Sequence, residues 1–330
     1  MTTPSISVAM ATWNGAAYLP EQLDSLAKQE LLPSELVVRD DGSTDSTLEV
    51  LAQFAERAPF AVHVSSNPRN LGVRSTFEKA ISLCIGDIIF LCDQDDYWAP
   101  EKIRRVVETF ERDARTMVVL NDKRIADERL NPSAATVLGN MRRAGTPDIS
   151  FIAGCCSAYR REWLPVALPI PSDLPYHDWW IAALAHQLGV SHILDEPLQL
   201  YRRHESNASV HPHYQDRPLG LRDRLRGELG AMSGPRRRSL REFWAKDVAA
   251  HDDMARRIED RLPALAAMGL EAKARDTLER LKARNRVARA RLAAVSSPWH
   301  RRVKQIWSLW RSGDYAQFSG WKSAVKDLVQ

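Results

Sequence analysis

Four short apolar runs in the first hundred residues, at 5–10, 35–39, 61–64 and 87–91, each break into a polar turn and then a helical pattern. This alternation limits the folds open to the chain more than any other feature. The connecting segments place Leu19, Leu23 and Leu26, then Leu48, Leu51 and Phe54, then Phe77, Ile81 and Leu83 at helical spacing. After the fourth run, Pro100 is suited to open a helix that continues through Phe110. A strand–helix order of this kind calls for a doubly wound, parallel α/β sheet. In such a sheet the loops that follow the strands gather at one edge, which is where ligands are held.

The post-strand turns are polar, and two of them are rich in carboxylates. The first reads Ala11-Thr12-Trp13-Asn14-Gly15, the second Asp40-Asp41-Gly42-Ser43-Thr44-Asp45, and the fourth Asp93-Gln94-Asp95-Asp96-Tyr97-Trp98. Three carboxylates in four positions repel one another, so a fold keeps them together where water solvates them or a cation shares them. Taken alone, the fourth turn is equally well read as a solvated acidic loop. Neither the glycine fingerprint of dinucleotide-binding folds nor a P-loop follows the first strand. A pyrophosphate bound here would need another partner for its charge, and a carboxylate-held cation supplies one.

A chain of 330 residues has room for about two domains. Its net charge of +4 hides an asymmetry: residues 1–214 carry 20 Lys+Arg against 28 Asp+Glu, and residues 215–330 carry 26 against 14. Cys84, Cys92, Cys155 and Cys156 lie in or beside apolar segments without zinc-ligand spacing, which indicates small core residues in a reducing compartment. No basic–apolar leader begins the sequence, and no apolar run approaches the roughly 20 residues that span a bilayer. The expected location is the cytoplasm.

The order and spacing of Thr-Trp-Asn, Asp-Asp-Gly-Ser-Thr-Asp, Asn-x-Gly and the Asp-x-Asp-Asp-x-Trp turn resemble the inverting, nucleotide-sugar-dependent family-two glycosyltransferases. The resemblance covers roughly residues 5–205. It implies a GT-A-type doubly wound mixed sheet, mostly parallel in its nucleotide-binding half, followed by a helical C-terminal region. It implies that Thr12 and Asp41 line a nucleoside pocket, with Trp13 where many members carry Tyr, and that Asn14 and Arg74 belong to the same nucleotide site. Asp93 would approach the ribose, and Asp95 would meet a Mg²⁺ or Mn²⁺ ion on the diphosphate. Asp40 and Asp96 are weaker candidates, and Asp45 reads better as helix-start electrostatics.

In the second half, Met117-Val118-Val119-Leu120 is a strand, and a polar stretch leads from it to Pro147. Phe151-Ile152-Ala153-Gly154-Cys155-Cys156 resembles the family's glycine loop, with Gly154 letting the backbone come close to the sugar. Asp178 falls where the family places its catalytic base, although His177 stands where a Glu is usual; without the resemblance, Asp178 reads as a helix N-cap. Trp179 and Trp180 are candidates for stacking on sugar rings, with core packing open for one of them. In the closing Tyr201-Arg202-Arg203-His204, the resemblance implies Arg202 facing phosphate and His204 completing the metal site. The wording of the motifs is most similar to the rhamnosyltransferase-like branch that builds bacterial surface polysaccharide. That implies a dTDP-L-rhamnose donor, with a UDP-hexose as alternative, and a glycan or lipid-linked glycan acceptor.

We divide the chain into a catalytic domain at 1–214, a basic helical region at 215–297 and Trp-rich amphipathic helices at 298–330. Helical segments are expected near 219–232, 236–262 and 264–294, broken at Gly234-Pro235 and Pro263. Trp299, Val303, Ile306, Trp307 and Trp310 share one helical face, with Arg301, Arg302 and Lys304 off it, and Trp321, Val325 and Leu328 repeat the pattern. This face suits an anionic membrane surface, and equally packing within the chain or against a second subunit. Two other classes compete with a transferase. A sugar nucleotidyltransferase would need a Gly-rich basic loop where Thr12-Trp13-Asn14 stands. A glycan- or nucleic-acid-binding protein is suggested by the basic tail, but would not need Asp95, Asp178 and His204 together, and nucleic acid is not an expected partner.

Overall fold

A computed structural model describes residues 3–172, 177–205, 207, 213–220, 223, 240–318 and 320–329, with only the backbone of Ile149, His177, Trp179, Gln317 and Val329 described. The expected helix near 219–232 lies almost wholly outside these residues. Two compact units emerge, Met1–Leu225 and Arg226–Gln330.

The first unit opens with β1 (Ile6–Thr12), α1 (Leu19–Ala27), β2 (Glu35–Asp40), α2 (Thr47–Ala55), β3 (Ala61–Ser66), α3 (Val73–Leu83) and β4 (Ile88–Cys92), in the order that the hydrophobic alternation predicts. β1 runs parallel to both its neighbours, β2 on one side and β4 on the other, and β3 lies beyond β2. Thr12 pairs with Asp40 and Met10 with Cys92, so the three strands end side by side. The chain crosses over β1 between β3 and β4, and this reversal opens a crevice at the carboxyl ends of the strands.

The remaining elements are β5 (Tyr97–Trp98), α4 (Lys102–Arg112), β6 (Val118–Ala126), β7 (Pro132–Thr136), α5 (Val137–Ala144), β8 (Ser157–Arg160), α6 (Leu164–Ala167), α7 (His177–Gln187) and β9 (Ser191–Arg202). The sheet has nine strands in the order β3-β2-β1-β4-β8-β6-β9-β5, with β7 on β6. β8 is antiparallel to both β4 and β6, whereas β6 and β9 are parallel, so the sheet is mixed. β1 and β4 are central, and every residue of β4 is buried. Ile6, Val8 and Met10 pack with Leu19, Leu23, Leu26, Phe54, Phe90 and Trp98 in one apolar layer. Each such side chain contributes about 1.5–3 kcal/mol on leaving water.

The stretch before Pro147 holds more structure than its polar composition suggests. Thr136 caps α5 by accepting a hydrogen bond from the Gly139 amide, and Gly145 ends the helix in the left-handed region at φ 77°. Val137, Leu138 and Met141 are buried, giving this short helix the tertiary support its sequence lacks.

The second unit contains α8 (Leu240–Asp260), α9 (Leu262–Ala267), α10 (Glu271–Val295), α11 (Trp299–Arg311) and α12 (Trp321–Val329). Pro263 sits in the first turn of α9, where its missing amide costs nothing. Leu240, Trp244 and Val248 of α8 pack on Ala288 and Val295 of α10. No helix among the described residues is long and apolar enough to cross a membrane.

Candidate active site

The turns after β1, β2 and β4 meet around a cavity of about 330 Å³ lined by Thr12, Trp13, Asp41, Asp93, Asp95, Gly154 and Asp178, all singled out in the sequence, and by Gln94, Gly72, Tyr201 and Asn207. Trp13 is 53% exposed, so its ring is available to a flat ligand.

Hydrogen bonding divides the carboxylates of the β2 turn. Asp40 is fully buried. One of its oxygens accepts from Thr12 Oγ1 at 3.0 Å and from Ser43 Oγ, and the other from the Gly42 and Ser43 amides at 3.0 and 2.9 Å. It is a turn-building group, and Gly42 at φ 77° takes the conformation that the turn requires. Asp41 lines the cavity and also anchors the next loop. It accepts from Asn67 Nδ2 at 2.8 Å and from the Leu71 and Gly72 amides at 2.8 and 2.9 Å. Asp45 accepts from the Thr47 amide at the start of α2, as its reading as a helix-start group requires.

In the β4 turn, Asp96 is fully buried and accepts from Gln199 Nε2 at 2.8 Å and from the Arg202 amide at 3.2 Å. Burial, with the nearby Cys155, Asp95 and Asp93 adding to it, raises its pKa well above the usual carboxylate value. Asp93 is pushed up to about 7, first by burial and then by repulsion from Asp95, with Lys123 pulling the other way. Asp95 Oδ2 lies 2.9 Å from His204 Nε2, and the His204 ring stacks on Tyr18 at 4.4 Å. Asp178, in the first turn of α7, accepts a hydrogen bond from the Gly154 amide at 2.9 Å.

Two groups of side chains could take a metal. Asp93, Asp96 and Cys155 bring ligand atoms within 4.8 Å of one another. However, the oxygens of Asp96 already hold Gln199 and Arg202, and the Cys155 thiol is pushed well above its usual pKa, first by its contact with Cys156 and then by burial. Asp95 and His204 offer an oxygen and a nitrogen at the cavity wall, a donor set that suits Mn²⁺ and, through its carboxylate, Mg²⁺.

Four expected contacts fall elsewhere. Asn14, at φ 46°, turns its side-chain carbonyl to the Thr44 amide at 2.8 Å, so it joins two turns rather than facing the cavity. Arg74 points along α3, 3.5 Å from Glu78 and 3.4 Å from the Ile170 carbonyl, because an ion-pair partner lies one turn away. The Trp180 indole is 1% exposed and donates to the Ala167 carbonyl at 2.8 Å, which makes it core and removes it as a sugar platform. Arg202 is 3% exposed and donates to the carbonyls of Asp95 and Glu128, both at 2.7 Å, so it braces the acidic turn instead of facing phosphate. The Trp179 side chain lies outside the described residues.

Several site residues carried no signal that we read in the sequence. Gln94 clamps the Trp13 backbone, accepting from its amide at 2.9 Å and donating to its carbonyl at 3.1 Å. Lys123 is buried in β6 with Nζ 3.7 Å from Cys155 Sγ and 3.6 Å from the centre of the Tyr201 ring, a fixed positive charge behind the acidic turn. Lys123 sits in the polar stretch Asn121-Asp122-Lys123-Arg124, so the hydrophobic pattern gave no clue to its burial.

Comparison with known proteins agrees with this geometry. The profile described as "Glycosyl transferase family 2" matches residues 7–166. An uncharacterized protein of Mycobacterium tuberculosis is 29% identical over 218 residues, 64% of this chain but only 62% of its own length. The dTDP-rhamnosyl transferase RfbG of Shigella flexneri is 27% identical over 217 residues, 60% of this chain and 72% of its own. Among solved structures, the Pyrobaculum calidifontis mannosyltransferase PcManGT, in complex with GDP-Man and Mn²⁺, shares the fold at a TM-score of 0.51 and 18% identity. The alignment covers 100% of this chain and 86% of that one. Residues 7–166, just under half of the chain, therefore match a glycosyl transferase family 2 domain, and the mixed sheet with its acidic turns at one edge is of the GT-A type.

Proposed function

We propose that this chain is a metal-dependent, inverting glycosyltransferase that moves a sugar from a nucleoside-diphosphate sugar to a hydroxyl of a glycan or lipid-linked glycan. Its donor in this reading is dTDP-L-rhamnose, a choice supported by the similarity to the Shigella flexneri protein of that name. Its setting is the cytoplasmic face of the cell membrane, in surface-polysaccharide synthesis. One observation carries the reading: a carboxylate oriented by a backbone amide, Asp178 on Gly154, stands on the wall of the cavity that Asp41, Asp93 and Asp95 also line.

The nucleoside lies against Thr12, Trp13 and Asp41, with the ribose toward Asp93. Asp95 and His204 would hold a Mg²⁺ or Mn²⁺ ion, which would offset the negative charge that develops on the departing diphosphate. Asp178 accepts the proton of the acceptor hydroxyl as that oxygen bonds to the anomeric carbon. The bond from that carbon to the diphosphate oxygen breaks, and its electron pair leaves with the nucleotide. A single displacement inverts the anomeric centre and needs no covalent intermediate on the protein. The Gly154 hydrogen bond keeps the base in its orientation between turnovers.

The test is nucleotide release from dTDP-rhamnose, UDP-hexoses and GDP-mannose, each with Mn²⁺, with Mg²⁺ and with chelator. Turnover of dTDP-rhamnose only with a divalent ion is the expected result. Turnover of a UDP-hexose in its place refutes the donor, and undiminished turnover in chelator refutes the metal.

A further inference from the structure

The second unit carries an apolar surface that its own core does not use. α11 contributes Ile306 and Leu309, and α12 contributes Ala324 and Leu328, to a cluster around Ala294 and Tyr315. Those contacts fix which side of each helix turns inward. Adjoining that inward edge, with Ile306 and Leu328 at its border, Trp299, Val303, Trp307 and Trp310 are 61%, 39%, 62% and 44% exposed, and Trp321 and Val325 are 62% and 48% exposed. At about 100° per residue the four α11 positions span less than a quarter turn. Monomeric proteins seldom leave four tryptophans in water without a partner for them.

The charges beside these residues define the partner. Trp299-His300-Arg301-Arg302-Val303-Lys304 and Trp321-Lys322-Ser323-Ala324-Val325-Lys326 follow the same plan, an exposed Trp and Val one turn apart with a lysine directly after the Val. Lys322 directly follows Trp321, and Arg311 directly follows Trp310. Between Ser296 and Lys326 the sequence holds six Lys or Arg and a single carboxylate, Asp314. Arg302 is committed to the carbonyls of Val295 and Ser297 at the end of α10. Among the described residues none of Arg301, Lys304, Arg311, Lys322 and Lys326 forms an ion pair, and all five are exposed. A protein partner for so apolar a strip would meet uncompensated like charge on its flank unless it were strongly acidic. An anionic bilayer answers both demands, accepting indole rings at the headgroup level and the ammonium and guanidinium groups at its phosphates.

We infer that the outer faces of α11 and α12 form a peripheral docking surface for an anionic lipid bilayer. This surface is independent of the donor and of the catalytic roles given above.

The experiment is co-sedimentation of the full chain with vesicles of phosphatidylcholine alone and of phosphatidylcholine with phosphatidylglycerol, paired with light scattering in the absence of lipid. The full chain should pellet with the anionic vesicles and stay in solution with the neutral ones. Trp307→Ser combined with Trp321→Ser should reduce partitioning at least tenfold. Lys304→Gln combined with Lys322→Gln should reduce it about fivefold for each charge removed. Circular dichroism and Tm report whether each variant is folded, and the lysine pair serves as the test if the tryptophan pair is not. The inference is overturned if the full chain does not pellet with anionic vesicles, if it pellets equally with neutral ones, or if the variants bind as well as the parent. It is also overturned if the tryptophans instead hold two copies together, so that Trp307→Ser yields a smaller particle and lipid is not bound.

Discussion

The Gly154 amide donates to Asp178 across 24 residues of sequence at 2.9 Å, tying the bend before β8 to the first turn of α7. This carboxylate is held from a different segment, at the cavity wall, where its orientation matters to whatever binds there.

Asp178→Asn keeps an acceptor for the Gly154 amide and loses only basicity. We expect kcat to fall roughly a hundred- to ten-thousand-fold, the usual contribution of a positioned base. Donor affinity, read by calorimetry, should change little. An unchanged kcat would remove Asp178 from the chemistry.

Asp95 and His204 meet at 2.9 Å. Asp95→Asn and His204→Gln should each weaken Mn²⁺ binding by roughly 10- to 100-fold or more, since loss of a residue that only supports a ligand already has that effect. Titration monitored by Mn²⁺ electron paramagnetic resonance measures it directly. Undisturbed affinity in both variants would shift the metal to Asp93, Asp96 and Cys155.

Arg291 and Asp327 form a bidentate pair at 2.6 and 3.0 Å in the second unit, with exposures of 1% and 0%. The Tyr315 hydroxyl also donates to Asp327, at 2.9 Å, and the guanidinium lies 3.8 Å from the Trp244 ring centre. Removing one charge leaves the other buried and unmatched. Asp327→Asn should therefore destabilise by about 3–5 kcal/mol in urea titration, while Arg291→Met with Asp327→Leu should recover most of that loss.

Asp87 accepts from the Ser5 hydroxyl at 2.7 Å and from the Ser5 amide at 3.0 Å, and these bonds hold its pKa below the ordinary value of 3.8. Its contribution to stability is thus fully present above that ordinary value and disappears as pH falls through the lower folded value. The stability difference between the parent and Ser5→Ala should be constant from neutral pH to about pH 5 and shrink in stronger acid to the part left by the Asp87 amide, which donates to the Ser5 hydroxyl at 3.1 Å. A difference that grew on acidification would contradict this sign.

The strand–helix alternation of residues 5–110 was legible because periodicity is local. Each strand and helix announces its buried face in its own few residues. The helix α5 was not legible: it spans only Val137–Ala144 and contains Gly139, and it is held by burial against the sheet rather than by propensity. Adjacent Trp179 and Trp180 gave no way to choose the inward ring, and the bond from Trp180 to Ala167 exists only once α6 and α7 are packed. Arg202 looked like a phosphate ligand because guanidinium suits phosphate, yet the carbonyls that claim it come from residues far away in sequence.

By itself the local hydrophobic pattern determined that an α/β sheet would carry carboxylate-bearing turns at one edge, because the succession of strands and turns is local, while the mixed sheet was implied only by the family resemblance. It also marked the basic, Trp-bearing C-terminal helices. Only the tertiary structure decided which carboxylates are scaffold and which face the cavity. Asp40 and Asp96 are fully desolvated, Asp40 satisfied by its own turn and by Thr12 and Asp96 by Gln199 and Arg202, while Asp41, Asp93, Asp95 and Asp178 reach the cavity wall. That division depends on desolvation and on hydrogen bonds between segments up to a hundred residues apart, which no local pattern encodes.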